Sequence, residues 1–263
     1  MKLLSLALLL AVCTVLPAAA GPGDEPYEAL RERLGAEYAG RVPREWGETV
    51  SGVRTRLKTR EKVVALTLDA CGSPRGRGYD GALIGYLERE RIPATLFMNA
   101  RWIDANPGQF ARLAANPLFE VANHGLAHRP ASVSGRGVYG LDGTRDAREL
   151  VDEIERNARK IASLSGTRPR YYRSGTAYYD EVAVEVSGRL GHEVIGFSIL
   201  GDAGATYRGE QVHAALLRAA PGDIVILHMN HPEGGTAAGV IAAIPELKRR
   251  GFRFVRLSDY ELR

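Results

Sequence analysis

Cysteine is scarce in this chain: 263 residues hold two, Cys13 and Cys71. A disulfide framework is thereby excluded as the main source of stability, and loss of Cys13 with a leader would leave no internal pair. Apolar runs long enough for a membrane are also missing. The stretch from Leu3 to Leu16 is too short to cross a hydrocarbon core of roughly 30 Å as a helix. Lys2 precedes it and Pro17-Ala18-Ala19-Ala20 follows it, so residues 1–20 read as a secretory signal cleaved after Ala20. A retained anchor and a lipoprotein acylated on Cys13 are the alternatives, the latter disfavoured by bulky Val12 before the cysteine. The expectation is a secreted or cell-envelope protein with no stable membrane insertion. Basic blocks are absent too. The net charge of +4 falls to +3 once Lys2 is removed, and its carriers are scattered through helical patterns, which argues against a nucleic-acid surface.

What is present is the balance of an ordinary globular chain, 45% hydrophobic and 25% charged, enough for one sizeable core and read as a monomer. Residues 21–61 are rich in Gly, Pro and charge, with one short amphipathic helix expected over Tyr27–Tyr38. This segment reads as an extension, and residues 62–263 as a single domain. In that domain apolar runs expected to form strands (Val63–Leu68, Ala94–Met98, Phe119–Ala122, Arg170–Arg173, Val194–Ile199, Ile224–His228, Phe252–Leu257) alternate with helical patterns. The helices are expected over Asp80–Arg91, Pro107–Ala115, Thr144–Leu164, Asp180–Leu190, Glu210–Ala219 and Ala238–Arg250. Such alternation predicts an α/β fold with parallel strands, a distorted (β/α) barrel of about seven strands, with an open doubly wound sheet as the alternative.

Reactive residues in such folds gather where strands end. Asp69, His124, Arg173 and His228 each fall at an expected strand end, and Asp202 follows another. His124-Gly-Leu-Ala-His128 is the sharpest local signal, since two imidazoles at this spacing can meet one cation if the loop makes a helical turn.

Thr67-Leu68-Asp69, His124-Gly-Leu-Ala-His128, Arg173-Ser-Gly-Thr and Leu227-His228 together resemble the polysaccharide deacetylase family, also called the NodB homology domain or carbohydrate esterase family four. The resemblance covers about Lys62 to Arg263. It implies a distorted barrel that binds one divalent metal, zinc or cobalt, and hydrolyses N-acetyl or O-acetyl groups on glycans. By position it implies His124 and His128 as metal ligands, Asp69 as general base, Arg173 as its partner, the backbone near Thr176 at the oxyanion, and His228 as general acid. The implied partner is an acetylated amino-sugar polysaccharide, peptidoglycan or chitin-like.

Three departures from the family pattern carry expectations of their own. The second Asp of the first motif, usually the third ligand, is Ala70 here; Asp69 is the preferred replacement, with Cys71 and water as alternatives. Ser174 and Gly175 stand for the usual prolines, predicting a looser loop. Asp202 lies in an atypical segment and is the candidate to orient His228, against a plain turn role. Trp102, Tyr139, Tyr178 and Tyr179 are the aromatic candidates for stacking on sugar rings, with ordinary packing as the other reading. His231 fits a loop hydrogen bond, a proton relay or a substrate contact, whereas His192 and His213 read as structural or solvent-facing. Two alternatives remain: an O-acetyl esterase, and a non-catalytic carbohydrate-binding protein that lost its third ligand at Ala70.

Overall fold

The computed structural model describes residues 25–263, so the leader read over residues 1–20, Cys13 included, lies outside the described residues. Eight parallel strands form one curled sheet. They are β1 (Val63–Ala70), β2 (Ala94–Met98), β3 (Phe119–Asn123), β4 (Tyr171–Tyr172), β5 (Glu193–Val194), β6 (Ile199–Leu200), β7 (Asp223–His228) and β8 (Arg253–Val255). The spatial order is β5-β4-β3-β2-β1-β7-β6, with β8 pairing Val63–Ala65 at the amino end of β1, ahead of where β2 pairs. Central β1 is buried along its whole length, as a strand covered on both faces must be.

The run Val194–Ile199 was expected to be one strand and is two. Its halves lie at opposite ends of the sheet, β5 on β4 and β6 on β7, and only residues 195–198 join them. The sheet therefore closes on itself without edge-to-edge pairing, which gives the barrel its distortion. The amino-terminal extension fills the seam: Arg54 N–H donates to the Val194 carbonyl (2.9 Å) and Gly196 N–H donates to the Arg54 carbonyl (2.8 Å). This covers backbone groups that would otherwise form an open edge.

The helices are α1 (Tyr27–Glu37), α2 (Gly81–Arg89), α3 (Ala100–Ala105), α4 (Pro107–Ala114), α5 (Ala147–Ser165), α6 (Glu181–Arg189), α7 (Gly209–Leu216) and α8 (Thr236–Arg249). Asp80, Asp146 and Asp180 cap α2, α5 and α6 by accepting from the N–H groups of Leu83, Glu149 and Ala183, which places each helix start. The short α3 has too few turns to show a period in the sequence. α1 lies on α5, where Arg31 Nε donates to Asp152 (2.8 Å), so the extension is part of the packed body. Among the described residues, no helix is long and apolar enough to cross a membrane.

Strand alternation sorts the side chains of β1. Val64, Leu66, Leu68 and Ala70 pack into the apolar layer beneath the helices. Val63 and Ala65 belong to the barrel interior, and Thr67 and Asp69 share their parity.

His192, at the amino end of β5, is 3% exposed with no hydrogen-bond partner at either ring nitrogen. Burial, aided by the Arg168 charge, lowers its pKa to about 3. An unfolded chain takes up this proton near 6.5, so between about 6.5 and 3 the unfolded state binds more protons. The contribution to stability is complete above 6.5 and declines by about 1.4 kcal/mol per pH unit on acidification. Denaturation midpoints measured from pH 7 to 4.5 should thus fall more steeply for the wild type than for His192→Leu; parallel slopes would contradict this.

Candidate active site

Parallel register brings the strand ends to one level. Asp69 sits beside His228 on β7 and beside Phe97 on β2, Met98 beside Asn123, and Asn123 beside Tyr172. The residues that follow, Cys71, His124 and Arg173, therefore emerge together at the carboxyl edge. A cavity of about 720 Å³ opens there, and Asp69, Cys71, His128, Thr176, His228 and His231 contribute to its wall.

Asp69 is held by Arg173. The fully buried guanidinium donates to Asp69 Oδ1 (2.7 Å), Thr67 Oγ1 (2.9 Å) and the carbonyls of Ile195 (3.1 Å) and Gly196 (2.8 Å), and its carbon lies 4.3 Å from the Phe97 ring centre. Such a clamp fixes one carboxylate oxygen and leaves Oδ2 toward the site, 3.7 Å from His124 Nε2.

His124 Nδ1 lies 3.0 Å from the Arg173 carbonyl. A carbonyl only accepts, so Nδ1 carries a proton and Nε2 is the ring nitrogen turned to the site. Nε2 faces Cys71 Sγ at 3.7 Å. His128 stands edge-on to His124, with ring centres 5.0 Å apart, and its buried Nε2 has no hydrogen-bond partner. The two rings do not meet through a helical turn, as the spacing suggested. Positive φ at Gly125 (77°) and His128 (63°) folds the loop back instead.

Among the described residues, the three side chains able to ligate a metal whose donor atoms lie within 4.8 Å of one another are Cys71, His124 and His128. Asp69, the preferred substitute from sequence, is not one of these three, though its Oδ2 lies 3.7 Å from His124 Nε2. Ala70 packs in the apolar layer on the other face, whereas position 71 continues the parity of Thr67 and Asp69. Burial works to raise the Cys71 thiol, but the imidazoles of His128, His124 and His228 outweigh it and hold the thiol well below its ordinary value. Burial would likewise lower His124, and Asp69 and Cys71 reverse that into a raised pKa.

His228 stands across the site. Its Nδ1 lies 2.8 Å from Asp202 Oδ1, while Asp202 Oδ2 accepts from the His228 N–H (2.7 Å) and from Thr236 Oγ1 (2.9 Å). Asp202 is thus a buried carboxylate that fixes both backbone and ring. Burial alone would lower the His228 imidazole; the Asp202 carboxylate overrides it and raises it well above its ordinary value.

The remaining candidates divide. Thr176 lines the cavity. Trp102 and Tyr179 are corrected from sugar-stacking candidates to core residues: both are wholly buried, the Trp102 indole donating to the Gly78 carbonyl (2.8 Å) and the Tyr179 hydroxyl to the Ile195 carbonyl (3.2 Å). Tyr139 lines the cavity, and Tyr178 is half-buried behind it. His231 lines the cavity with Nδ1 2.9 Å from Glu233 Oε1, and His213 is partly exposed 3.8 Å from Glu246. The loop after Arg173 is tied down by Ser174 Oγ donating to the Tyr178 carbonyl (2.9 Å). Gly175 is needed for contact: a Cβ there would come within 2.4 Å of the His128 backbone.

Sequence reasoning missed Glu153. It is buried on α5 and accepts from the N–H groups of Ala127 and Arg129 (2.9 and 3.1 Å), bracing the His128 loop. The available signal was an acidic residue on the apolar stripe of an amphipathic helix, beside Leu150, Val151 and Ile154.

Comparison with known proteins places this geometry. The family model for polysaccharide deacetylase matches residues 56–195. A peptidoglycan-N-acetylglucosamine deacetylase from Bacillus cereus is 24% identical over 220 residues, 81% of this chain and 94% of that protein. Among solved structures, a cobalt-bound family 4 acetyl xylan esterase from Clostridium thermocellum aligns with a TM-score of 0.62 at 21% identity, covering 75% of this chain and 89% of that one. A family 4 pseudoenzyme from Bacillus anthracis aligns at 0.66 with 20% identity, covering 80% and 69%. With more than half its length matched by the family model, and the same curled α/β sheet, the chain belongs to the polysaccharide deacetylase family, hydrolases that remove acetyl groups from glycans.

Proposed function

We propose that the protein is a metal-dependent deacetylase that removes N-acetyl groups from an amino-sugar polysaccharide of the cell envelope, peptidoglycan or chitin-like, to which residues 1–20 export it. The observation that carries this reading is one cavity lined by a clamped carboxylate, by Cys71 and His128 with His124 within 4.8 Å of them, and by a third imidazole on its own carboxylate. The resemblance to the Bacillus cereus peptidoglycan deacetylase supports the substrate class.

The donors present fit a divalent ion. Cys71, His124 and His128 would hold it, with Nε2 of His124 and of His128 the available ring nitrogens. A thiolate with two imidazoles favours zinc over harder ions. When bound, the ion would polarise the acetyl carbonyl and acidify the attacking water. Asp69 Oδ2 accepts the proton of that water while Arg173 keeps Oδ1 fixed. Backbone near Thr176 faces the developing oxyanion. His228, its pKa raised by Asp202, delivers a proton to the departing amine from Nε2, the ring nitrogen that Asp202 does not engage. The loss of a third ligand at Ala70 had suggested a carbohydrate binder without activity; Cys71 supplies a third donor and favours the enzyme.

Acetate release from N-acetylglucosamine oligomers and from peptidoglycan, abolished in His124→Ala, is the direct test. No release from either substrate in the presence of zinc or cobalt would defeat the proposal.

Asp202 also sets a pH signature. The protonated form of His228 is the active one, so activity should decline as pH rises through its raised pKa. In Asp202→Asn that pKa drops, and the alkaline limb of kcat/KM should move to lower pH. An unmoved limb would remove His228 from the role of acid.

A further inference from the structure

The wall of the cavity also holds Glu48, Tyr139, Leu141 and Ala177. Tyr139 is 70% exposed, and Leu141 is exposed beside it. Tyr139 and Gly140 form the tip of a two-residue hairpin closed by Val138 and Leu141, whose N–H groups and carbonyls bond reciprocally (3.0 and 3.1 Å). Both tip residues have positive φ, 55° and 73°, the geometry of a turn that ordinarily takes Asn-Gly because a larger side chain is strained there. An aromatic ring stands at this position, exposed to water, on the rim of the site. Backbone strain at an exposed, cavity-lining residue points to a binding role.

The ring is braced from behind. Tyr178 meets it edge-on (centres 5.6 Å apart, 84°), Trp46 of the extension lies 5.9 Å from Tyr178, and the Arg136 guanidinium lies 5.3 Å from Trp46. The extension is locked here by reciprocal backbone bonds between Gly47 and Tyr179 (3.1 and 2.9 Å), which bring neighbouring Glu48 into the wall. An apolar ring face beside a carboxylate suits a pyranose, whose C–H face stacks on aromatics and whose hydroxyls donate to carboxylates. The cavity is continuous from this wall to Asp69 and His228 and, at about 720 Å³, is in the range that encloses ligands of drug size.

We propose that Tyr139, supported by Tyr178 and Trp46, and Glu48 form a subsite for a sugar ring next to the one being deacetylated, so that the amino-terminal extension helps select an oligomer over a single sugar. This rests on the glycan reading above. Tyr139 is a binding residue outside the reacting group, so its loss should appear in KM and not in kcat.

The test uses the full mature chain and β-1,4-linked N-acetylglucosamine tetramer, with binding followed by calorimetry and acetate release measured separately. Tyr139→Ala and Glu48→Gln should each weaken tetramer binding by about three- to tenfold. They should leave the monosaccharide unchanged. Tyr139→Asn, which relaxes the turn, should raise Tm by about 2–4 °C and weaken the tetramer equally, separating strain from misfolding. Absence of tetramer binding by the wild type, or equal affinity in wild type and Tyr139→Ala, overturns the subsite. Binding that is sensitive to Tyr139 without acetate release upholds the subsite and sinks the deacetylase reading instead.

Discussion

Asp69→Asn is expected to lower kcat by about two to four orders of magnitude, with KM and metal content nearly unchanged. The amide keeps the shape of the carboxylate and can still accept from Arg173 through one oxygen, but the atom replacing Oδ2 no longer takes a proton. A second effect follows from burial. Arg173 is wholly buried, and neutralising its partner leaves a cation matched only by Thr67 Oγ1 and the carbonyls of Ile195 and Gly196. Breaking a buried pair by removing one partner costs on the order of 3–5 kcal/mol, so the variant should also melt earlier. Kinetics are therefore read well below its Tm. Loss of bound metal together with activity would instead make Asp69 a ligand, one of the two roles, ligand and base, that the sequence left open for it.

Cys71→Ala gives the second large effect, through a different route. Three protein donors hold a catalytic zinc, and two imidazoles alone hold it weakly. The variant should purify with far less than the wild-type zinc, and acetate release should fall with it. Its fold should survive, because the half-buried thiol is not a large part of the core. Added zinc stabilises a protein only as far as it binds the folded state, so the zinc-dependent rise in Tm expected of the wild type should vanish in the variant. Full metal content and activity in Cys71→Ala would reduce the residue to a passive filler.

The barrel was legible because its strands are short apolar runs between helices with strong starts, such as the Asp-capped α2, α5 and α6. The break in Val194–Ile199 was not. Nothing in that apolar run shows that its halves pair with different neighbours, which is a consequence of sheet curvature. Asp69, His124, Arg173 and His228 could be found at strand ends because parallel register brings such positions to one rim. Cys71 was harder, as its relevance depends on the parity of β1 and on a loop that folds His128 back toward it. Trp102 and Tyr179 misled for a general reason: sequence cannot tell an aromatic in a loop that faces solvent from one folded under it.

In the proposed site Cys71, His124 and His128 share one cation. Titration of metal-free protein with cobalt(II), followed by absorption, addresses the three donors at once, since cobalt bound to a thiolate gains an intense near-ultraviolet charge-transfer band. Such a band should saturate at about one equivalent and be lost in Cys71→Ser and in His124→Ala. Cobalt binding with no thiolate band, or a band that survives Cys71→Ser, would contradict the shared site.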